Sequence, residues 1–149
     1  MISVDLTKEY PRSARAKWQG VVMLARAIDK GKATAAGTNG EYNFDCPMDQ
    51  AVFEFLNLNG GQLLDVIKKS DSDAHIEDYT RSFVAAKSNE EIQQFNEQFL
   101  ERRPSGDSIA FFEDLRKSVA PDRTDIVTWV DVLDLDEKRD VPKRTAAAV

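Results

Sequence analysis

Cys46 and His75 each occur once in a chain of 149 residues, so any thiol or imidazole chemistry must centre on one known position. Pro47 pushes the residue before it out of the helical region and is itself suited to the first helical position, which predicts Cys46 as the N-cap of a helix. A thiol there feels the positive end of the helix dipole, which favours the reactive thiolate. Asp45 beside it and Asp49 one turn on oppose that effect. The dipole is worth about 0.3–1 kcal/mol at an exposed site, whereas a carboxylate ~4 Å away can oppose a thiolate by up to about 4 kcal/mol near a surface. Without a cation close by, the repulsion wins. On the thiol reading Cys46 and Asp49 are the candidate catalytic residues; on the plainer reading Cys46 is a small buried cap and Asp49 closes the first turn by accepting the Cys46 N–H.

A second set of polar residues lies on the first long helix, expected from Ser13 to Gly31 with Ser13 as cap and Gly31 as its stop. At 100° per residue, Arg15, Gln19, Arg26 and Lys30 fall within about 60° of one another, with Asp29 at the edge of the same stripe. The rest of that helix, from Gly20 through Val21, Met23, Leu24, Ala25, Ala27 and Ile28, is apolar or small, which predicts a central and largely buried element. A polar stripe on a buried helix reaches solvent, pairs with acids from other helices, or lines a cleft. Arg12, just before the cap, and the backbone N–H groups of the first turn would add to an anion site. The candidate binding residues are therefore Arg12, Arg15 and Arg26, with Lys30, Glu41 and Tyr42 at the border. Glu41, projecting from the Gly37 to Tyr42 turn, is either a base or an ion-pair partner.

Other chemistries are excluded or given a plainer account. A single cysteine excludes an intrachain disulfide and a thiolate-rich zinc site, and a single histidine excludes His-paired metal sites, so no metal or cofactor is implied. Gly37 to Tyr42 is neither a dinucleotide fingerprint nor a Walker loop; its glycines suit a hairpin turn. His75 sits among Asp71, Asp73, Glu77 and Asp78, which reads as a solvated histidine. The acidic run Asp131, Asp134, Asp136, Glu137 and Asp140 lacks the spaced oxygens and glycine of an EF-hand loop and reads as a solvated face or an interaction surface.

These residues must be positioned by helices. Ser88 with Glu91 is a capping-box signature, followed by Ile92, Phe95, Phe99 and Leu100 on one helical face that must stop before Pro104. Ile76, Tyr79, Phe83 and Val84 follow a cap cluster at Ser70 to Asp73, and Ile109, Phe112, Leu115 and Val119 precede Pro121. A last helix is expected to open at Thr124 or Asp125 and to carry Ile126, Trp129, Val130 and Leu133. Two shorter helices are expected around Val52, Phe55 and Leu56, and around Leu63, Leu64 and Ile67. Between the first helix and Pro47, Tyr42, Phe44 and Cys46 alternate with Glu41, Asn43 and Asp45, which reads as a strand turned back at Thr38-Asn39-Gly40. The fold expected is mainly α: a compact array of about six to seven helices around a buried first helix, with at most one small β-hairpin near residues 33–46. One helical domain is expected over 1–140 and a frayed or disordered tail over 141–149.

Asp5-Leu6-Thr7, Pro11-Arg12-Ser13, Arg26 with Asp29-Lys30, Gly37-x-x-Gly40-Glu41-Tyr42, and Cys46-Pro47 with Asp49 together resemble a family of uncharacterised bacterial domains of about this length. Weaker similarity continues to Thr124-Asp125-Ile126 with Trp129. The resemblance implies a shared fold and no mechanism. The chain departs from the pattern at Ala14, where proline is usual, and at Trp18-Gln19, where smaller residues are usual.

The net charge is −6, from 20 Lys and Arg against 26 Asp and Glu, and it is unevenly spread. Residues 1–40 hold 7 basic and 3 acidic side chains, while residues 41–149 hold 13 and 23. An acidic total argues against nonspecific nucleic-acid binding, and no apolar run approaches the ~20 residues of a membrane span. With no signal-peptide pattern at Met1, the location expected is cytoplasmic. The first reading of function is a domain that binds a small anionic ligand or a protein partner where the first helix meets Glu41 to Asp49. The alternatives are a thiol-dependent enzyme or redox sensor built on Cys46, and an assembly protein with an acidic helical interface.

Overall fold

The structure is a computed structural model that describes residues 4–143. Among them are seven helices and one two-stranded antiparallel hairpin, so the protein is mainly α. The chain divides into two compact units, Met1–Asn96 and Glu97–Val149.

In the first unit the hairpin pairs β1 (Lys17–Trp18) with β2 (Val21–Val22), setting Lys17 opposite Val22 and Trp18 opposite Val21. Gln19 and Gly20 both have positive φ, 52° and 86°, the backbone that a tight two-residue hairpin loop requires. Met23, at φ 70°, turns the chain out of β2 and into α1 (Leu24–Ala36). The first long helix therefore begins eleven residues later than Ser13 and runs past Gly31 to a left-handed Gly37. The hairpin lies at 17–22 rather than near 33–46; Tyr42, Phe44 and Cys46 belong to an irregular segment leading to α2 (Pro47–Leu56).

Every residue of α1 from Leu24 to Ala33 is buried. The helix packs against the hairpin, α2 and α3 (Gly60–Lys69), and α3 packs in turn on α4 (Asp73–Ala85). Gly31 makes the closest of these approaches possible, because a Cβ there would lie 2.7 Å from Ile67 Cδ1 and 3.3 Å from Phe44 Cε2. Asn59 caps α3 by accepting the Gln62 N–H at 2.9 Å, and Ser88 and Glu91 form the reciprocal capping box of α5 (Asn89–Leu100). Asn96 on α5 holds the hairpin where its loop enters β2: Oδ1 accepts the Val22 N–H at 3.0 Å and Nδ2 donates to the Gly20 carbonyl at 2.9 Å.

In the second unit α6 (Ser108–Val119) packs on α7 (Trp129–Asp136) around Phe112, Ile126, Val132 and Val141. Phe112 meets the Trp129 ring edge to face, with centroids 5.1 Å apart. The last helix opens later than Thr124 or Asp125, at a Thr128 cap that accepts the Asp131 N–H. Arg123 and Asp125 instead hold the preceding loop, with Arg123 bridging the Asp125 carboxylate and the Val141 carbonyl at 2.9 Å each. Val141 is thus part of the core; of the tail expected over 141–149, residues 144–149 lie outside the described residues.

Candidate functional site

Cys46 takes the N-cap position of α2 in extended backbone, Pro47 begins the helix, and Asp49 at its third position accepts the Cys46 N–H at 3.2 Å. The capping box is completed by the Cys46 sulfur facing the Asp49 N–H. Arriving from α1, the Lys30 ammonium lies 2.8 Å from Asp49 Oδ2 and 3.2 Å from Cys46 Sγ. The sequence predicted carboxylate repulsion of a Cys46 thiolate unless a cation stood close, and Lys30 is that cation. Its side chain is 5% exposed and that of Asp49 is wholly buried, so the pair is shielded from solvent. Cys46 is half-buried. Asp49 Oδ1 has no hydrogen-bond partner, an uncommon state for a buried carboxylate oxygen. The other opposing acid, Asp45, has φ 65°, and its Oδ1 would lie 2.9 Å from a Cβ at Gly60.

One turn before Lys30 on the same face, Arg26 is 4% exposed, donates to the Arg12 carbonyl at 3.2 Å, and lies over the Tyr42 ring at 5.7 Å. Arg12 is exposed and grips Asp29 with Nε and Nη2, each at 3.0 Å, while its own N–H donates to Asp29 Oδ2. The side-chain hydrogen bonds that it donates to Asp29 hold the Arg12 guanidinium protonated above its ordinary range, against some desolvation. The Arg12 guanidinium also stacks 5.7 Å from Trp18. Arg12, Arg26 and Tyr42 thus form one cluster on α1, and Lys30, Cys46 and Asp49 a second one turn further along.

Arg15 and Glu41 sit differently. Arg15 precedes β1, so it does not share a helical face with Arg26 and Lys30; it is exposed, and its N–H donates to Ser13 Oγ. Glu41 is exposed beside the Gly40 turn. Some polar residues that matter escaped the sequence reading. Lys32, 4% exposed, pairs with Asp73 at the start of α4. Trp18 Nε1 donates to Thr80 Oγ1 at 3.0 Å, that hydroxyl donates to Gln19 Oε1 at 2.7 Å, and Gln19 Nε2 donates to the Glu77 carbonyl. Trp18-Gln19, conspicuous in the sequence, docks the hairpin on α4.

The acidic run expected as a solvated face is partly internal. Asp131, Asp134 and Glu137 are buried, with Arg139 3.8 Å from Asp134 and 2.5 Å from Glu137, while Asp136 and Asp140 are exposed. His75 is exposed in the first turn of α4. Among the described residues no three His, Cys, Asp or Glu gather as a metal ion would require, and no helix is long and apolar enough to cross a membrane.

The model of the family described as "Domain of unknown function (DUF5069)" matches residues 8–139. The chain belongs to this family. Arg12, Arg26, Lys30, Cys46 and Asp49 all fall inside the span that matches DUF5069. No curated protein matches the chain.

Proposed function

We propose that this domain works through Cys46 as a redox-responsive thiol, with Lys30 as the counter-charge of the thiolate and Asp49 as the group that holds Lys30 in place. The observation that carries the reading is the 3.2 Å contact between Lys30 Nζ and Cys46 Sγ. The thiolate is the species that attacks electrophiles such as peroxides, and an ammonium in contact with the sulfur is placed to pair with it. Cys46 is half-buried, and the reading requires that its sulfur be open to a small oxidant. The reading places the protein in the cytoplasm, where thiols are kept reduced until an oxidant arrives. Alkylation by iodoacetamide at neutral pH tests it. Native protein should react faster than the same chain unfolded in urea, and Lys30→Met should lose that gain. Equal or slower reaction of the native thiol overturns it.

A second reading, a small anionic ligand held by Arg12, Arg26 and Lys30 with Glu41 and Tyr42 at its border, is favoured by the contacts of Arg26 with Arg12 and Tyr42, one turn from Lys30 on α1. Against it, Arg12 is already clamped by Asp29 and Lys30 by Asp49, so an arriving anion must compete with internal carboxylates. Inorganic phosphate is a direct probe. A rise in melting temperature that saturates with phosphate and vanishes in Arg12→Ala supports this reading, and no shift at millimolar phosphate removes it.

A further inference from the structure

Lys30 and Asp49 hold more chemistry than a thiolate needs. A buried ammonium in contact with sulfur on one side and with a carboxylate on the other is arranged as a nucleophile with its proton acceptor in place. The carboxylate is wholly buried, and one of its oxygens has no hydrogen-bond partner. We propose that oxidation of Cys46 by a peroxide is followed by closure of a covalent sulfur–nitrogen bond between Cys46 and Lys30, a reversible sulfenamide that locks α1 to the N-terminus of α2. The proposal rests on the thiol reading above and adds to it the fate of the oxidised sulfur.

The Cys46 thiolate attacks one oxygen of hydrogen peroxide and the O–O bond breaks. Sulfur is oxidised by two electrons to the sulfenic acid, and the departing hydroxide takes up the proton the thiol had released, leaving as water. Lys30 then passes one proton from its ammonium to the Asp49 carboxylate, 2.8 Å away. The freed lone pair attacks the sulfenic sulfur, the S–N bond forms, and the S–O bond breaks. The leaving hydroxyl departs with the second proton of the amine as another water. No further oxidant is required.

Three features favour this outcome over the usual ones. The two reacting atoms are already 3.2 Å apart, the separation at which an intramolecular step has the largest advantage over a competing bimolecular one. Cys46 is the sole cysteine, so the sulfenic acid has no thiol in its own chain with which to form a disulfide. Bond formation also removes the charge of Lys30, which would leave Asp49 as a buried anion without a counter-ion. Taking up the lysine proton neutralises it, so proton transfer and bond closure favour each other.

The test is exposure of the native protein to a small excess of hydrogen peroxide, followed by intact mass, peptide mapping and treatment with dithiothreitol. The result expected is a main product two hydrogens lighter than the reduced chain, with the peptides of Lys30 and Cys46 joined, trypsin unable to cleave after Lys30, and the original mass restored by the reductant. Peptide mapping separates this from oxidation of Met48, two residues from Cys46. Lys30→Arg, which keeps the charge and the partner, should give a sulfenic or sulfinic acid and no link. A wild-type product that carries only added oxygen on Cys46, an oxygen-bridged link, or a disulfide-joined pair of chains overturns the sulfenamide and leaves the thiol reading standing. If the native thiol resists peroxide while the unfolded chain is oxidised, both fall together.

Discussion

Lys30 and Asp49 form a buried ion pair 2.8 Å long in which only one of the two carboxylate oxygens is hydrogen-bonded. Such a pair is held at a cost in desolvation that its own attraction barely offsets, and breaking it from one side is expensive because the remaining charge stays buried. Lys30→Met should therefore destabilise the protein by about 3–5 kcal/mol. The double variant Lys30→Met/Asp49→Asn leaves no charge behind, and its amide oxygen still accepts the Cys46 N–H. It should be more stable than Lys30→Met alone. Urea unfolding of the four members of the cycle measures this, and additive losses would show that the two residues act independently.

Gly31 sits in the middle of α1, where alanine would be the better helix former by about 1 kcal/mol. The structure predicts the opposite outcome. An added Cβ would meet Ile67 Cδ1 at 2.7 Å and Phe44 Cε2 at 3.3 Å, and overpacking of a closed core costs about 1–3 kcal/mol. Gly31→Ala should lower stability by about 1 kcal/mol, the difference between these two effects. Ile67→Val, which removes the clashing methyl, should recover part of the loss in the double variant. A Gly31→Ala protein that melts at or above the wild-type temperature would mean that α1 and α3 can part more easily than their packing implies.

What was legible in the sequence was local. Ser88 with Glu91, and Cys46-Pro47 with Asp49, each specify a helix start through bonds spanning three residues, and both are present. The start of α1 was not legible, because Trp18, Val21 and Val22 repeat as a helix face would. The two turns that break the pattern rest on positive φ at Gln19, Gly20 and Met23, and of these only glycine carries a preference for it. Moving the helix start from Ser13 to Leu24 removes Arg15 from the polar stripe but leaves Arg26 one turn before Asp29 and Lys30 on α1. The contact between Lys30 and Cys46 spans sixteen residues, and nothing in the spacing distinguishes Lys30 from Arg26 or Lys32 as the partner of Cys46. The burial of Asp131, Asp134 and Glu137 was hidden for a related reason: composition marks them as acidic, and only tertiary packing decides which side of α7 faces inward.

Glu91 links stability to pH with a definite sign. The Ser88 N–H donating to its carboxylate holds Glu91 below the ordinary glutamate range, so the ionised form is favoured in the folded state. The stabilisation is present above the unfolded value and is lost as pH falls through the folded one. Wild type should exceed Glu91→Gln in urea stability at neutral pH, and the gap should close progressively in acid. Thr7 lowers the Asp5 carboxyl in the same direction, so Asp5→Asn should follow the same course. A gap that widens on acidification would contradict the capping box as the source.

Asn96 offers the most local test of how the hairpin is held. It is one side chain on α5 that satisfies a donor at Val22 and an acceptor at Gly20, the groups on either side of Val21 in a hairpin whose strands are only two residues long. A hairpin this short is marginal without such support. Asn96→Asp keeps the oxygen that accepts the Val22 N–H but sets a second oxygen against the Gly20 carbonyl, while Asn96→Ala leaves both groups without their partner. Each lost bond in so buried a place costs about 1–3 kcal/mol. Both variants should lower the melting temperature, and amide exchange at Val22 should accelerate in Asn96→Ala more than in Asn96→Asp, where its acceptor survives. Equal protection of Val22 in the two variants would show that the hairpin is held by Trp18 on Thr80 rather than by Asn96.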